Sequence, residues 1–537
     1  MQLSFSFSTL LAGVLVALCA HEVQAVPVQP RMVTLPLKRM EHRSNAHPQI
    51  LLQQQINRAS RRLALMSGRQ APTSNMMTDA LRKRVLAIEG PAGLERRFNR
   101  HGVPQQSEKR FNRYGVKKTK IDKRRKKHGG AASGANGTGA GAGGNAGAGA
   151  AGAAGSGAAG DAGAAGDAGA AGDAGAGTAT GAGVSSEIGG PDSAAGVQVA
   201  NAPSTGNSLA LDNETPDIGY LATVQMGTPP QNYLILMDSG SADLWVASED
   251  CTECGQHQTL GTKSSSTFTD TGKAFAVTYG TGSVSGDIVQ DDITVAGLTL
   301  KAHTFGVATK ETDDFSDDSV PFDGLMGLAQ SGLSEQQTAT PVESLAAQGL
   351  ITDAITSYKI SRSADNLNDG EITFGALDPS KFDAATLVTT PNVNQQGFWE
   401  AAMDDVTVDG QSVGLQGRTS ILDTGTTLIV APQSDAEAVH QLITGSTSDG
   451  QGGFTVPCTF NQSVALTFAG AAFAIDPRDI ATQPVDASNP TGDCVSGISG
   501  GSFGTSDTEW LVGDVFLKNA YYSTDVGQNQ ISLAKLV

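Results

Sequence analysis

The chain has 537 residues, 36 Lys+Arg against 54 Asp+Glu, and a formal net charge of −18. That length exceeds one ordinary domain. Residues 1–128 carry 25 basic and 7 acidic residues, and residues 129–537 carry 11 and 47. The front is therefore cationic (+18) and the body anionic (−36), which makes nucleic-acid binding by the body a poor reading, because phosphates would be repelled. With 39% apolar residues the chain is not mainly disordered. No run of 18 apolar residues predicts a permanent membrane span.

Leu10–Ala20 is a short apolar run of signal-peptide size. Val23-Gln24-Ala25 places small residues where a signal peptidase reads, so residues 1–25 are expected to be a signal peptide, with Ala20 the alternative cut. An oxidising destination follows. Residues 26–128 read as a basic propeptide. Its paired basics, Arg96-Arg97, Lys109-Arg110, Lys117-Lys118 and Lys123–Lys127, fit processing sites on a secreted chain better than a nucleic-acid arm. Gln49–Leu65 has helix-compatible apolar spacing.

Residues 129–201 are dominated by Gly and Ala, with Asp161, Asp167 and Asp173 six residues apart. They offer almost no side-chain area to offset the entropy of ordering, so a flexible linker is expected.

From residue 202 short alternating runs separated by Gly, Asp, Asn and Ser predict a mostly β body. Expected strands include Tyr220–Met226, Asn232–Met237, Ala274–Tyr279, Ile288–Val295 and Val464–Phe468. Pro341–Gln348 and Gln433–Leu442 are the best helix candidates. Some 335 residues suggest two lobes, about 202–385 and about 386–537. An internal echo agrees. Leu236-Met237-Asp238-Ser239-Gly240-Ser241 precedes Leu244–Ala247, and Ile421-Leu422-Asp423-Thr424-Gly425-Thr426 precedes Leu428–Ala431. A later Gly-bearing apolar stretch follows each: Phe322–Leu328 and Trp510–Val515.

An Asp in a Gly turn can simply satisfy backbone N–H groups. Two copies, each flanked by hydroxyls, point instead to paired carboxylates. With Tyr279-Gly280-Thr281-Gly282 downstream of the first, the sequence resembles the pepsin family of aspartic proteases over roughly residues 215–537. The resemblance implies a bilobal fold with Asp238 and Asp423 meeting between pseudo-symmetric β lobes. It implies hydrolysis by a water molecule activated between two carboxylates that share one proton, the established chemistry of aspartic-protease dyads. Ser239, Gly240, Ser241, Thr424, Gly425 and Thr426 would support the dyad. Tyr279, Gly280 and Thr281 would form a flap over substrate, and Leu236, Trp245, Phe315 and Leu325 would line an apolar pocket.

The resemblance also implies disulfides Cys251–Cys254 and Cys458–Cys494; Cys19 leaves with the signal peptide. Val33–Arg39 resembles the start of family propeptides, which pair with the enzyme as a strand and bring basic side chains to its cleft. Which Lys or Arg reaches the dyad is open. Asn213 and Asn461 are glycosylation candidates, as is Asn136. No cofactor or metal is expected. Expected partners are peptide or protein substrates and the propeptide in cis, on a monomer with no nucleic acid and no membrane anchor. The expected function is a secreted acid endopeptidase made as a zymogen, preferring bulky apolar residues at the scissile bond. A vacuolar address and a catalytically inactive binding protein of the same fold are the alternatives.

Overall fold

The structure, a computed structural model, describes residues 33–36, 38–39, 46–98, 197–198, 213–214, 217, 219–280, 282–317, 320–365, 367, 369–501 and 507–537. The expected signal peptide, the basic clusters at 109–127, nearly all of the linker, Asn136 and Thr281 lie outside these residues.

Strands dominate the described body. Tyr220–Met226 and Val464–Phe468 span the ranges their alternation predicts. Gln231–Asp238 carries the first Asp at its C-terminal end. It pairs in parallel with Gly324–Gly327, which is also paired antiparallel to Leu244–Ser248. The second copy repeats this arrangement. Arg418–Leu422 runs parallel to Glu509–Val512, which is antiparallel to Ile429–Pro432. The sequence echo is thus a structural one, with each Asp at or just past the C-terminal end of its strand.

A six-stranded sheet joins both halves of the body. Its order is Val33–Pro36, Glu371–Phe374, Ile355–Lys359, Tyr521–Asp525, Gln530–Ala534 and Val388–Pro391. It draws strands from both sides of residue 385, so the lobes share this sheet. The N-terminal strand adds to its edge, with Val33 opposite Phe374. Lys38–Arg39 then pairs with Tyr220 and Leu221. Residues from the basic segment therefore enter the body's own sheets.

Two helices follow. Helix α1 is Pro48–Met66, with Pro at its start and His47 accepting from Gln49 N–H. Leu52, Ile56, Ala59, Leu63 and Met66 are buried on one stripe, the spacing that lets a helix pack through a single face, while Ile50 on another face clusters with Val85 and Phe98. Helix α2 is Ser74–Arg97, capped by the Thr73 side chain and broken at Gly90, where φ is +69°, just before Pro91. The α1 stripe joins the body's main core beside Met237, Leu422 and Val512.

Both expected disulfides are present, Cys251–Cys254 and Cys458–Cys494. No helix among the described residues is long and apolar enough to cross a membrane.

Candidate active site

The ends of the two duplicated strands bring Asp238 and Asp423 together, both fully buried. Each carboxylate is held the same way. Gly240 N–H donates to Asp238 Oδ1 at 2.9 Å and Ser241 Oγ donates to Oδ2 at 2.7 Å. Gly425 N–H donates to Asp423 Oδ1 at 2.8 Å and Thr426 Oγ1 donates to Oδ2 at 2.6 Å. The glycines are required by close approach. A Cβ at Gly240 would lie 2.6 Å from Asp423 Oδ1, and one at Gly425 would collide with Asp238 Oδ1.

The hydroxyls between Asp and Gly tie the copies to one another. Ser239 N–H donates to Thr424 Oγ1 at 2.9 Å, and Thr424 N–H donates to Ser239 Oγ at 2.9 Å. Ser239 Oγ donates to Leu422 O and Thr424 Oγ1 to Met237 O. All four residues are buried or nearly so, so these bonds act in a low dielectric where leaving one unmade is costly. The crossed pattern fixes the spacing of the two Asp residues.

Burial pushes the Asp423 carboxyl above the usual aspartate range, and the neighbouring Asp238 charge adds to the rise. The Arg62 guanidinium of α1 opposes it. Arg62 Nη2 donates to Asp423 Oδ1 at 3.0 Å and also bonds Asp238 Oδ1. Its Nε stands 2.6 Å from Asp423 Oδ2, an ion-pair contact too bent for a hydrogen bond. Burial works against the guanidinium's charge, but the two carboxylates hold its pKa above the ordinary value. Arg62 therefore fills the space directly over both carboxylates.

The strands Thr269–Thr278 and Ser283–Val295 form the expected hairpin across the cleft. At its tip Tyr279 N–H donates to Gly282 O at 2.7 Å. Tyr279 Oη accepts from Trp245 Nε1 at 2.9 Å, and burial raises the tyrosine's pKa well above its ordinary value. Phe315 packs edge-on against both rings, with centroids 5.4 Å and 5.5 Å away.

A cavity of about 320 Å³ opens beside the dyad. Leu236, Phe315 and Leu325 line it, with Tyr279 and Gly280 from the hairpin and Arg58 and Arg62 from α1. Trp245 does not line it. Its indole is 1% exposed and stands behind Phe315, so it positions the wall and Tyr279 rather than touching the space itself.

Arg62 was not singled out by the sequence. It sits among many basic residues, and only one cue marks it: an Arg next to the apolar stripe Ile56-Ala59-Leu63. Of the glycosylation candidates, Asn461 is exposed, and Asn213 lies in the two-residue strand Asn213–Glu214. Among the described residues no group of three or more His, Cys, Asp or Glu is placed to hold a metal ion.

The sequence profile of the family described as eukaryotic aspartyl protease matches residues 219–536. The chain belongs to that family. Similar aspartyl proteases include the probable aspartic-type endopeptidase CTSD of Trichophyton verrucosum, 37% identical over 340 residues. That match covers 63% of this chain and 65% of the relative. The aspartic-type endopeptidase ctsD of Aspergillus fumigatus is 35% identical over 347 residues, covering 64% and 71%. Rhizopuspepsin of Rhizopus chinensis is 34% identical over 323 residues, covering 60% and 80%. The matched region thus spans about 65% of the length of the first of these relatives. The eukaryotic aspartyl protease match lies within the expected peptidase region, and the mostly β architecture with a duplicated strand–Asp–strand unit is the pepsin-like fold.

Proposed function

We propose that this chain is the precursor of a secreted acid endopeptidase whose dyad is Asp238 and Asp423. The observation that carries the reading is the placement of two buried carboxylates at one point, each with a matched set of donors. Two carboxylates this close do not both ionise freely, so the pair shares a proton and titrates as a unit. The ionised member takes a proton from water as that water attacks the peptide carbon. The protonated member donates to the carbonyl oxygen as charge develops there. The Gly N–H groups and the Ser241 and Thr426 hydroxyls keep both carboxylates oriented, so little reorganisation accompanies proton transfer.

Tyr279 and the hairpin would close over the substrate and exclude water. The wall of Leu236, Phe315 and Leu325 favours a bulky apolar side chain at the scissile bond. Arg62 occupies the place where water and the scissile carbonyl would sit. Residues 26–128 therefore serve as an inhibitory propeptide, and 129–201 as the tether between it and the enzyme at 202–537. Acid protonates Asp423, whose carboxyl burial pushes up, and so weakens its hold on Arg62. Release into the vacuole would suit the same chemistry, whereas a silent binding protein would need neither the donor set nor the plug.

The test is digestion of a peptide library at acid pH by the secreted chain, with N-terminal sequencing of the processed enzyme. Cleavage between apolar residues, blocked by a statine-type inhibitor, supports the reading. An acid-treated chain that binds such an inhibitor and cleaves nothing overturns it.

A further inference from the structure

A second carboxylate pair lies along the same sheet as Asp423. Glu509 begins the strand whose Val512 carbonyl accepts from Asp423 N–H at 3.0 Å. Three residues of strand separate them, roughly 10 Å. Glu400 begins the strand on the other side of Arg418–Leu422. Glu509 is 9% exposed and Glu400 8%. Burial pushes the Glu509 carboxyl above the usual glutamate range, and the Glu400 charge adds to this. Two carboxylates so placed need a cation between them and solvent.

The basic segment supplies one. Arg69, seven residues beyond Arg62, forms an ion pair with Glu509 through Nη2, and Ser67 Oγ donates to the same oxygen. Glu400 Oε2 accepts from Asn394 Nδ2 at 2.8 Å. A cavity of about 350 Å³ runs past Arg69, Asn394, Gln396, Glu400 and Glu509. A guanidinium from a detachable segment is thus already seated in a built carboxylate site, one strand's length from the dyad. Loss of that segment removes both Arg69 and Ser67 and leaves the site to whatever peptide lies in the cleft.

We infer that Glu509, with Glu400 beside it, forms a subsite for a basic side chain of the peptide substrate, about three residues from the scissile bond. Arg is favoured over Lys, because a planar fork matches a carboxylate better than a point charge does. The inference rests on the peptidase reading above and names one of its specificity determinants.

The test uses the secreted full chain after acid activation. Its probes are peptides whose central bond is the non-cleavable –CH2–NH– form between two apolar residues. Arg replaces norleucine at each flanking position in turn, on both sides, and inhibition of the tightest site is read. The expected result is a preference for Arg of ten-fold or more at one position about three residues from the reduced bond. Glu509→Gln should cut that preference below three-fold, weakening the Arg peptide far more than the all-norleucine peptide. Glu400→Gln, read in the same assay, should lower it in part, and serves if the first variant does not fold. No preference at any position, or a preference untouched by both variants, overturns the subsite. Retained binding preference with no cleavage of normal peptides would sink the peptidase reading and leave the subsite standing.

Discussion

Arg62 Nη2 donates to Asp423 Oδ1 at 3.0 Å while the same nitrogen bonds Asp238, so one side chain of α1 closes both halves of the carboxylate pair. Its neighbours on the helix, Ile56, Ala59 and Leu63, are buried in the body's core. The apolar stripe sets the helix rotation, and the rotation sets the guanidinium over the dyad.

Removing that cation leaves two buried carboxylates facing one another, and breaking such a pair costs about 3–5 kcal/mol. Arg62→Gln should therefore weaken docking of the basic segment and unmask the cleft at pH 6. The check is binding of a statine-type inhibitor to the unprocessed chain. At least ten-fold tighter binding than to the parent chain is expected. Arg62→Lys should fall between the two, because an ammonium keeps the charge but not the fork.

The Trp245 indole donates to Tyr279 Oη, and a hydrogen bond of this kind contributes about 1 kcal/mol net. Trp245→Phe should lower kcat/KM by roughly five-fold. Tyr279→Phe should do the same or more, and the double variant should lose less than the two losses combined. Additive losses in that cycle would mean that the bond does not position the flap.

Ser239 Oγ accepts from Thr424 N–H and donates to Leu422 O. Ser239→Ala leaves the buried Thr424 N–H short of its partner, while Leu422 O keeps the Tyr522 hydroxyl, at a cost of about 1–3 kcal/mol. Denaturant unfolding should show a lower midpoint, and Ser239→Thr should retain most of the stability because it keeps the oxygen.

Glu311 gives a pH dependence of opposite sense to ordinary surface carboxylates. It is 6% exposed, neither oxygen has a hydrogen-bond partner among the described residues, and burial pushes its carboxyl up to about 7. Between the ordinary glutamate pKa and about 7, the folded chain keeps a proton that the unfolded chain gives up. Stability therefore falls as pH rises through that window and is unaffected below it. Glu311→Gln removes the loss. At pH 8 it should be more stable by about 1–2 kcal/mol, discounted for shallow burial; at pH 4 the two should agree. Thermal unfolding of the full-length chain reads the difference.

Much of this was legible in the sequence. Tyr220–Met226 and Val464–Phe468 alternate strongly enough to mark strands, and the duplicated Asp-hydroxyl-Gly-hydroxyl units locate the carboxylates. Gln49–Leu65 shows its helix, which the structure extends to Pro48–Met66. Other features depend on long-range pairing. Val388–Pro391 is an edge of the shared sheet and Glu371–Phe374 lies one strand in from the other edge, and four residues carry too little periodicity to reveal a strand. Helix α2 is masked by the break at Gly90-Pro91. Trp245 belongs to the right cluster, but its depth behind Phe315 depends on tertiary packing. Arg62 is one cation among many until α1 is docked.

The acidic body, with 42 Asp+Glu and 11 Lys+Arg from residue 202 onward, gains a reason from the same contact. Arg62 and Arg69 form ion pairs with the buried carboxylates of Asp238, Asp423 and Glu509. A form from which the basic segment has been removed should lose stability sooner on alkalinisation.

The central claim is that Asp238 and Asp423 together perform peptide hydrolysis. Its most direct measurement is the acid-pH cleavage rate of an apolar peptide by the processed chain and by its Asp238→Asn and Asp423→Asn forms. To obtain the variants in processed form, the basic segment is removed with an added protease. The account predicts that each substitution abolishes turnover, by more than about 1,000-fold, while the fold is kept. Turnover that survives either substitution in purified protein would contradict it.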